Sequence, residues 1–243
     1  MSTTVQFLGH ATFKITTPEG RIVIVDPWLT DNPFIPEHCK TQDEIDLVLV
    51  THGHDDHFDL ELPAIIKKTN CKVVANNICR WYLLEQGVPK ENIEPMNLGG
   101  TIQLLDMSIS MVNAFHVSHI NLADGSMTHP HQAVGFVVGF SDGLKIYFAG
   151  DTSVFGDMQL VGELYKPTIA VLPIGDRFTM GPLEAAYAIK LLRVKHVIPF
   201  HYGTYPFLTG TPEALAAHTN DIEGLHIHAL KAGEILAQNF NAG

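Results

Sequence analysis

Apolar positions fall in short runs whose spacing changes along the chain. Runs at 3–8, 11–16 and 21–25 are β-rich, and Pro18-Glu19-Gly20 supplies turn chemistry between the last two, so this part reads as a meander. The run at 45–50 is nearly pure apolar, as expected of a strand buried on both faces. A helix is expected to start near Pro63, where a missing N–H costs nothing, and to run through Lys68. A strand at 71–75 and a helix at 78–86 follow. Strands are expected at 101–105, 108–114, 133–140 and 144–148, the last two joined by the hairpin signal Ser141-Asp142-Gly143. Beyond Asp151, strands at 168–174, 196–200 and 225–230 alternate with helices at 182–192 and 212–221. Mixed sheets with helices packed outside fit this pattern. No repeat, linker or composition break divides the chain, so 1–243 is read as one α/β domain.

Six apolar runs stop abruptly at a residue with metal-ligand or carboxylate chemistry. They end at Asp26, His52, His116, Asp151, Asp176 and His201. Open α/β sheets bind ligands outside the carboxyl ends of their strands, so neighbouring strands would bring these endings to one edge. The densest cluster is Thr51-His52-Gly53-His54-Asp55-Asp56-His57. On a helix, His52 and His54 would point about 200° apart and could not share an ion. The His-Glu-x-x-His spacing of helical metalloprotease sites is also absent. In a loop leaving a strand, residues two apart can face one side, and Gly53 is expected to let the backbone bend sharply. The cluster therefore suggests a loop that feeds two ions. Imidazole nitrogen with carboxylate oxygen suits zinc, with manganese or iron as alternatives.

Composition narrows the function further. The chain carries 15 Lys+Arg against 26 Asp+Glu, a formal net charge of −11, with 14 histidines. A general nucleic-acid binder needs a basic surface and is excluded on that ground. At 46% hydrophobic and 17% charged, the chain can bury a large core. No run approaches the roughly 18 apolar residues of a membrane span, and the opening segment lacks the basic region of a signal peptide. Cys39, Cys71 and Cys79 form no Cys-x-x-Cys pair; they read as buried thiols in a reducing compartment, and the cytoplasm is expected.

His52-x-His54-x-Asp56-His57 resembles the signature of the metallo-β-lactamase superfamily, and Asp26, His116, Asp151 and His201 follow that superfamily's order. The runs Phe7-Leu8-Gly9-His10, Asp26-Pro27-Trp28-Leu29, Ile174-Gly175-Asp176-Arg177-Phe178-Thr179-Met180 and His201-Tyr202-Gly203-Thr204 are similar to a small subfamily of bacterial and archaeal metal-dependent hydrolases. Ascorbate-6-phosphate lactonases are relatives of that group. The resemblance covers residues 3–236 and implies a four-layer αββα sandwich of two mixed sheets with a dinuclear site on the edge between them. It implies His52, His54 and His116 on one divalent metal, Asp56, His57 and His201 on the other, and Asp151 bridging them. Asp26 would orient a ligand histidine, and His10 would lie in the core or support the site. One departure is Asp176, where the family often has glycine.

The implied chemistry is hydrolysis of a small ester, lactone or phosphoester by a metal-bound hydroxide, which two divalent ions, zinc foremost, make available near neutral pH. Asp56 would be catalytic as well as a ligand, orienting that hydroxide or taking its proton. The partner is a small-molecule substrate, with neither nucleic acid nor membrane; homo-oligomers are common in similar proteins, although no patch marks one here. Alternatives are a phosphodiesterase or nuclease of the same superfamily, a di-iron oxidoreductase, and a non-catalytic metal-bearing scaffold. His119, His129 and His131, with Asn121, Asp124 and Ser126, are read first as surface loop or subunit contact and second as substrate contacts. Phe178, Thr179 and Met180 are pocket candidates, although a packed Phe and Met are more often core, and His196, His218, His226 and His228 read as structural.

Overall fold

In β1 (Thr4–Gly9), β2 (Thr12–Thr16) and β3 (Ile22–Val25), Val5, Phe7, Phe13, Ile15, Val23 and Val25 turn to one face, and the strands form the expected antiparallel meander. The apolar run of β4 (Leu47–Val50) is buried at every position. It lies parallel between β3 and β5 (Lys72–Ala75), as burial on both faces predicts. In this computed structural model, residues 1–236 and 240 are described.

The second sheet is built from β6 (Thr101–Leu104), β7 (Met107–Ser118), β8 (His131–Gly139), β9 (Lys145–Phe148), β10 (Ile169–Pro173), β11 (His196–Phe200) and β12 (His226–Ile227). Its order is β12-β11-β10-β9-β8-β7-β6, antiparallel from β6 to β9 and parallel from β9 to β12. The first sheet runs β13-β1-β2-β3-β4-β5, where β13 (Ile235–Leu236) is a short edge strand that the sequence reading lacks.

The inner faces of both sheets share one core, with Phe13, Val25 and Leu49 from the first and Ile109, Phe136, Phe148 and Phe200 from the second. Outside the first sheet lie α2 (Leu62–Thr69) and α3 (Asn77–Glu85), and outside the second lie α4 (Met158–Tyr165), α5 (Pro182–Leu192) and α6 (Pro212–His218). A single-turn helix, α1 (Glu37–Lys40), sits in the loop after β3. The four layers are those of the αββα sandwich.

Several expected boundaries move. β7 does not stop at Ala114 but continues to Ser118 through a register shift between Asn113 and Val117, so His116 lies in a bulged strand rather than at a strand end. α4 has no counterpart in the sequence reading, and β12 is two residues long instead of the expected six.

Candidate metal centre

The loop after β4 opens with Thr51, and its geometry is set by Asp26. Asp26 Oδ1 accepts from the Thr51 backbone N–H (2.7 Å), and Oδ2 accepts from Thr51 Oγ1 (2.8 Å) and from His57 Nδ1 (2.9 Å). Because Thr51 Oγ1 donates to Asp26, it accepts from His52 Nδ1 at 2.9 Å. One carboxylate thus turns the Nε2 atoms of both His52 and His57 away from itself.

Those two nitrogens have no hydrogen-bond partner although both are buried, and Asp151 Oδ1 is in the same state. Asp151 lies where the ring nitrogens converge. Its Oδ1 is 3.2 Å from His57 Nε2, and its Oδ2 is 3.3, 3.8 and 3.9 Å from Nε2 of His201, His116 and His52. His52, His54 and His116 bring donor atoms within 4.8 Å of one another, and so do His10, Asp56, His57 and His201. His54 Nδ1 and His116 Nε2 are 3.1 Å apart. Buried polar atoms without hydrogen bonds are costly, and a cation among them would satisfy all of them at once. The donor set therefore fits divalent metal.

Electrostatics agree with this arrangement. Burial drives His52 well below the usual imidazole range, and burial followed by the charge of His116 brings His54 down to about 4. Burial also pushes His57 and His201 down, but Asp151, with Asp26 at His57 and Asp56 at His201, more than offsets it: His57 is held well above its ordinary value and His201 is raised to about 9. Burial works against ionised Asp56 and Asp151 too, yet the neighbouring histidines keep both carboxyls well below the ordinary range. Two histidine-held protons thus occupy positions that cations would take.

Supporting contacts come from both sheets. His10 follows β1 and is buried; its Nε2 meets Asp56 Oδ2 at 3.0 Å, and its Nδ1 meets Thr204 Oγ1 at 2.8 Å. The His10 carbonyl accepts from the backbone N–H of His201 (3.1 Å), tying the end of β1 to the end of β11. His10, Asp26 and His201 all take left-handed backbone with φ of 56°, 50° and 58°. Each costs about 1–2 kcal/mol, strain that persists only where surroundings enforce it. Gly53 is not bent in this way: a Cβ there would sit 2.5 Å from Ile120 Cγ1, so close packing rather than a left-handed turn requires glycine.

A cavity of about 310 Å³ opens beside the cluster, lined by Trp28, His54, Asp56, Asn121, Phe178, His201, Tyr205 and Phe207. Asn121 also donates to Asp55 (2.8 Å). Of the other loop candidates, His119 packs edge-on against the His54 ring at 5.3 Å, while His129 is exposed. His131 points inward: its Nε2 meets Ser118 Oγ at 2.9 Å, and Ser118 accepts from the Gly53 N–H at 3.3 Å. Met180 belongs to the core, and Phe178 to the cavity. Asp176 does not join the convergence; it is exposed, and its φ of 67° is a left-handed backbone that glycine would adopt without strain. His196 of β11, His226 of β12 and His228 just after it stack together, apart from the cavity. Tyr205 and Phe207 were not visible as site residues in the sequence, because an aromatic in a loop carries no spacing signal. A groove of about 350 Å³ between β7 and α4 shares no residue with this cavity and holds no histidine.

Comparison with known proteins places the chain in a family. The family described as "Beta-lactamase superfamily domain" matches residues 4–201. A UPF0173 metal-dependent hydrolase of Rubrobacter xylanophilus is 49% identical over 96% of this chain and 96% of its own length. Another, of Chloroflexus aurantiacus, is 43% identical over 95% and 96%. Among solved structures, Igni18, a metallo hydrolase of Ignicoccus hospitalis, superposes with a TM-score of 0.80 at 28% identity, over 96% of this chain and 97% of that one. The chain belongs to the metal-dependent hydrolases of the beta-lactamase superfamily.

Proposed function

We propose that the chain is a dinuclear hydrolase of a small ester, lactone or phosphoester. His52, His54 and His116 would hold one divalent ion, Asp56, His57 and His201 the other, and Asp151 both. The observation that carries this reading is the unpartnered, buried set of His52 Nε2, His57 Nε2 and Asp151 Oδ1 between two histidine groups. When bound, two such ions, zinc foremost, supply an activated water at neutral pH and a positive clamp for the oxygen that gains charge. Asp56, whose Oδ2 is fixed by His10, orients the attacking water and takes its proton. Asp26 holds His57 directly and His52 through Thr51, so neither ring can turn its Nε2 away. Trp28, Phe178, Tyr205 and Phe207 give the cavity apolar walls sized for a small molecule, which supports such a substrate over a nucleic acid. Three free, buried cysteines support a reducing compartment, the cytoplasm.

The test is elemental analysis of protein purified without added metal, followed by a panel of lactones, phosphomonoesters, phosphodiesters and thioesters with and without chelator. Two ions per chain and chelator-sensitive turnover are expected, with both reduced in Asp151→Ala and His116→Ala. Full metal content and undiminished turnover in either variant would sink the ligand assignment. Turnover confined to phosphodiesters would redirect the reading to that class, and two bound ions with no turnover would favour a scaffold.

A further inference from the structure

Within the run from Ile174 to Met180, Arg177 has no place in the mechanism above. It follows β10 in a turn with two successive left-handed residues, Asp176 at φ 67° and Arg177 at φ 61°. Such backbone costs about 1–2 kcal/mol per non-glycine residue, so the surroundings must impose it. They do so from the site itself. The Asp176 N–H donates to the Met180 carbonyl (3.0 Å), and the Met180 N–H donates to the carbonyl of Thr152 (3.1 Å), the neighbour of Asp151.

The strained turn lays the Arg177 guanidinium over two rings. Its Cζ is 5.3 Å from the ring centre of Phe207 and 5.7 Å from that of Phe178, within cation–π range. Both rings line the cavity whose inner wall is His54, Asp56 and His201. Asp176 Oδ1 accepts from the Arg177 backbone N–H (2.6 Å), not from the guanidinium. Among the described residues the guanidinium makes no ion pair and no hydrogen bond, in a chain with 26 acidic residues. No lysine or arginine lines the cavity itself. A planar fork of five donors thus lies exposed against two rings of the cavity wall.

We propose that Arg177 is the anion-binding residue of this site. The substrate carries, apart from the bond that is cleaved, a carboxylate or phosphate that the guanidinium receives in bidentate fashion. The apolar body between them lies against Phe178 and Phe207. This rests on the hydrolase reading above, and the experiment separates the two.

Metal-loaded wild type, Arg177→Gln and Arg177→Lys are compared on two p-nitrophenyl esters, the adipate monoester with a free carboxylate and the neutral hexanoate. Wild type should favour the adipate ester in kcat/KM by about 10-fold or more, the range of a hydrogen bond to a charged group. In Arg177→Gln that ratio should fall to near one, chiefly through KM, and Arg177→Lys should recover only part of it. A wild-type ratio near one, or a ratio that the substitution leaves intact, overturns the proposal and leaves the hydrolase reading standing. If neither ester is cleaved with both ions bound, the hydrolase reading stands or falls on the substrate panel above, and calorimetry with benzoate and phenylphosphonate decides the anion site. Binding of either at least 10-fold weaker in Arg177→Gln supports it and identifies the preferred anion; equal binding of both overturns it.

Discussion

At the scale of single residues, Asp26 has the widest reach. Three hydrogen bonds from one buried carboxylate fix Thr51, His57 and, through Thr51, His52. Asp26→Asn keeps the shape but puts an NH2 where an acceptor is needed, so one of these donors loses its partner. Removing a carboxylate that orients a ligand histidine typically lowers metal affinity about 10–100-fold. We expect that loss in competition with a chromophoric chelator, with far-UV circular dichroism unchanged; unaltered affinity would disprove the orienting role. Protonation gives a second test. His57 is held above its ordinary value and His201 is raised to about 9, so at pH 7 both carry protons that a metal bound as proposed would displace. Metal affinity should therefore climb from pH 6 to pH 9, with about two protons released per chain, measured by calorimetry in buffers of different ionisation enthalpy. The sign is opposite for the metal-free chain. Its imidazolium–carboxylate pairs contribute stability that is complete below the ordinary imidazole value and is lost as pH rises through about 9. The histidines and aspartates of the candidate site were legible because their types announce chemistry where apolar runs stop. Thr51, Ser118 and Tyr205 were not, since their importance comes only from what the fold sets beside them.

Elements were legible where period and punctuation agreed. The helix at Pro182–Leu192 and the strand at His196–Phe200 have the expected bounds, because proline opens the helix at N1 and an apolar run makes the strand. The helix at Met158–Tyr165 was not visible. Its Asp157 makes no side-chain cap, and Gly162 interrupts the middle of the helix. That glycine has a packing reason: a Cβ there would meet the Leu192 carbonyl oxygen at 2.5 Å, where α4 crosses the end of α5. Propensity alone says Gly162→Ala should stabilise a helix by about 1 kcal/mol. The contact reverses the sign, because backbone must shift to admit the methyl group. We expect destabilisation of about 1–3 kcal/mol, the range for overpacking, in urea denaturation, with metal content retained. A stabilised variant would show that α4 and α5 can move apart freely. The bulge in β7 escaped the sequence for a related reason: residues 113–117 keep no regular alternation, so the point where pairing shifts, and with it the aim of His116, is set by the partner strand.

At the scale of the whole molecule, the centre joins the two sheets. His52, His54, Asp56 and His57 follow β4 of the first sheet, whereas His116, Asp151 and His201 come from β7, β9 and β11 of the second. The three cysteines are free, so no disulfide among them ties the sheets together. Ions held by both groups would act as such a tie, binding the folded state and not the unfolded chain. A ligand at a hundred times its dissociation constant adds about 2.7 kcal/mol of stability. For a chain of this size each kcal/mol shifts Tm by about 2–4 °C. Chelation should therefore lower Tm by roughly 5–10 °C, reversed on returning zinc. Two divalent ions also offset part of the formal charge of −11, which adds to the effect at low salt. His116→Ala removes a donor of the second sheet from one histidine group and should roughly halve the chelator-sensitive shift. An identical Tm with and without chelator, in protein shown to bind two ions, would mean that the sheets are held by their shared core alone. In that case the ligand groups from the two sheets would not be joined through metal.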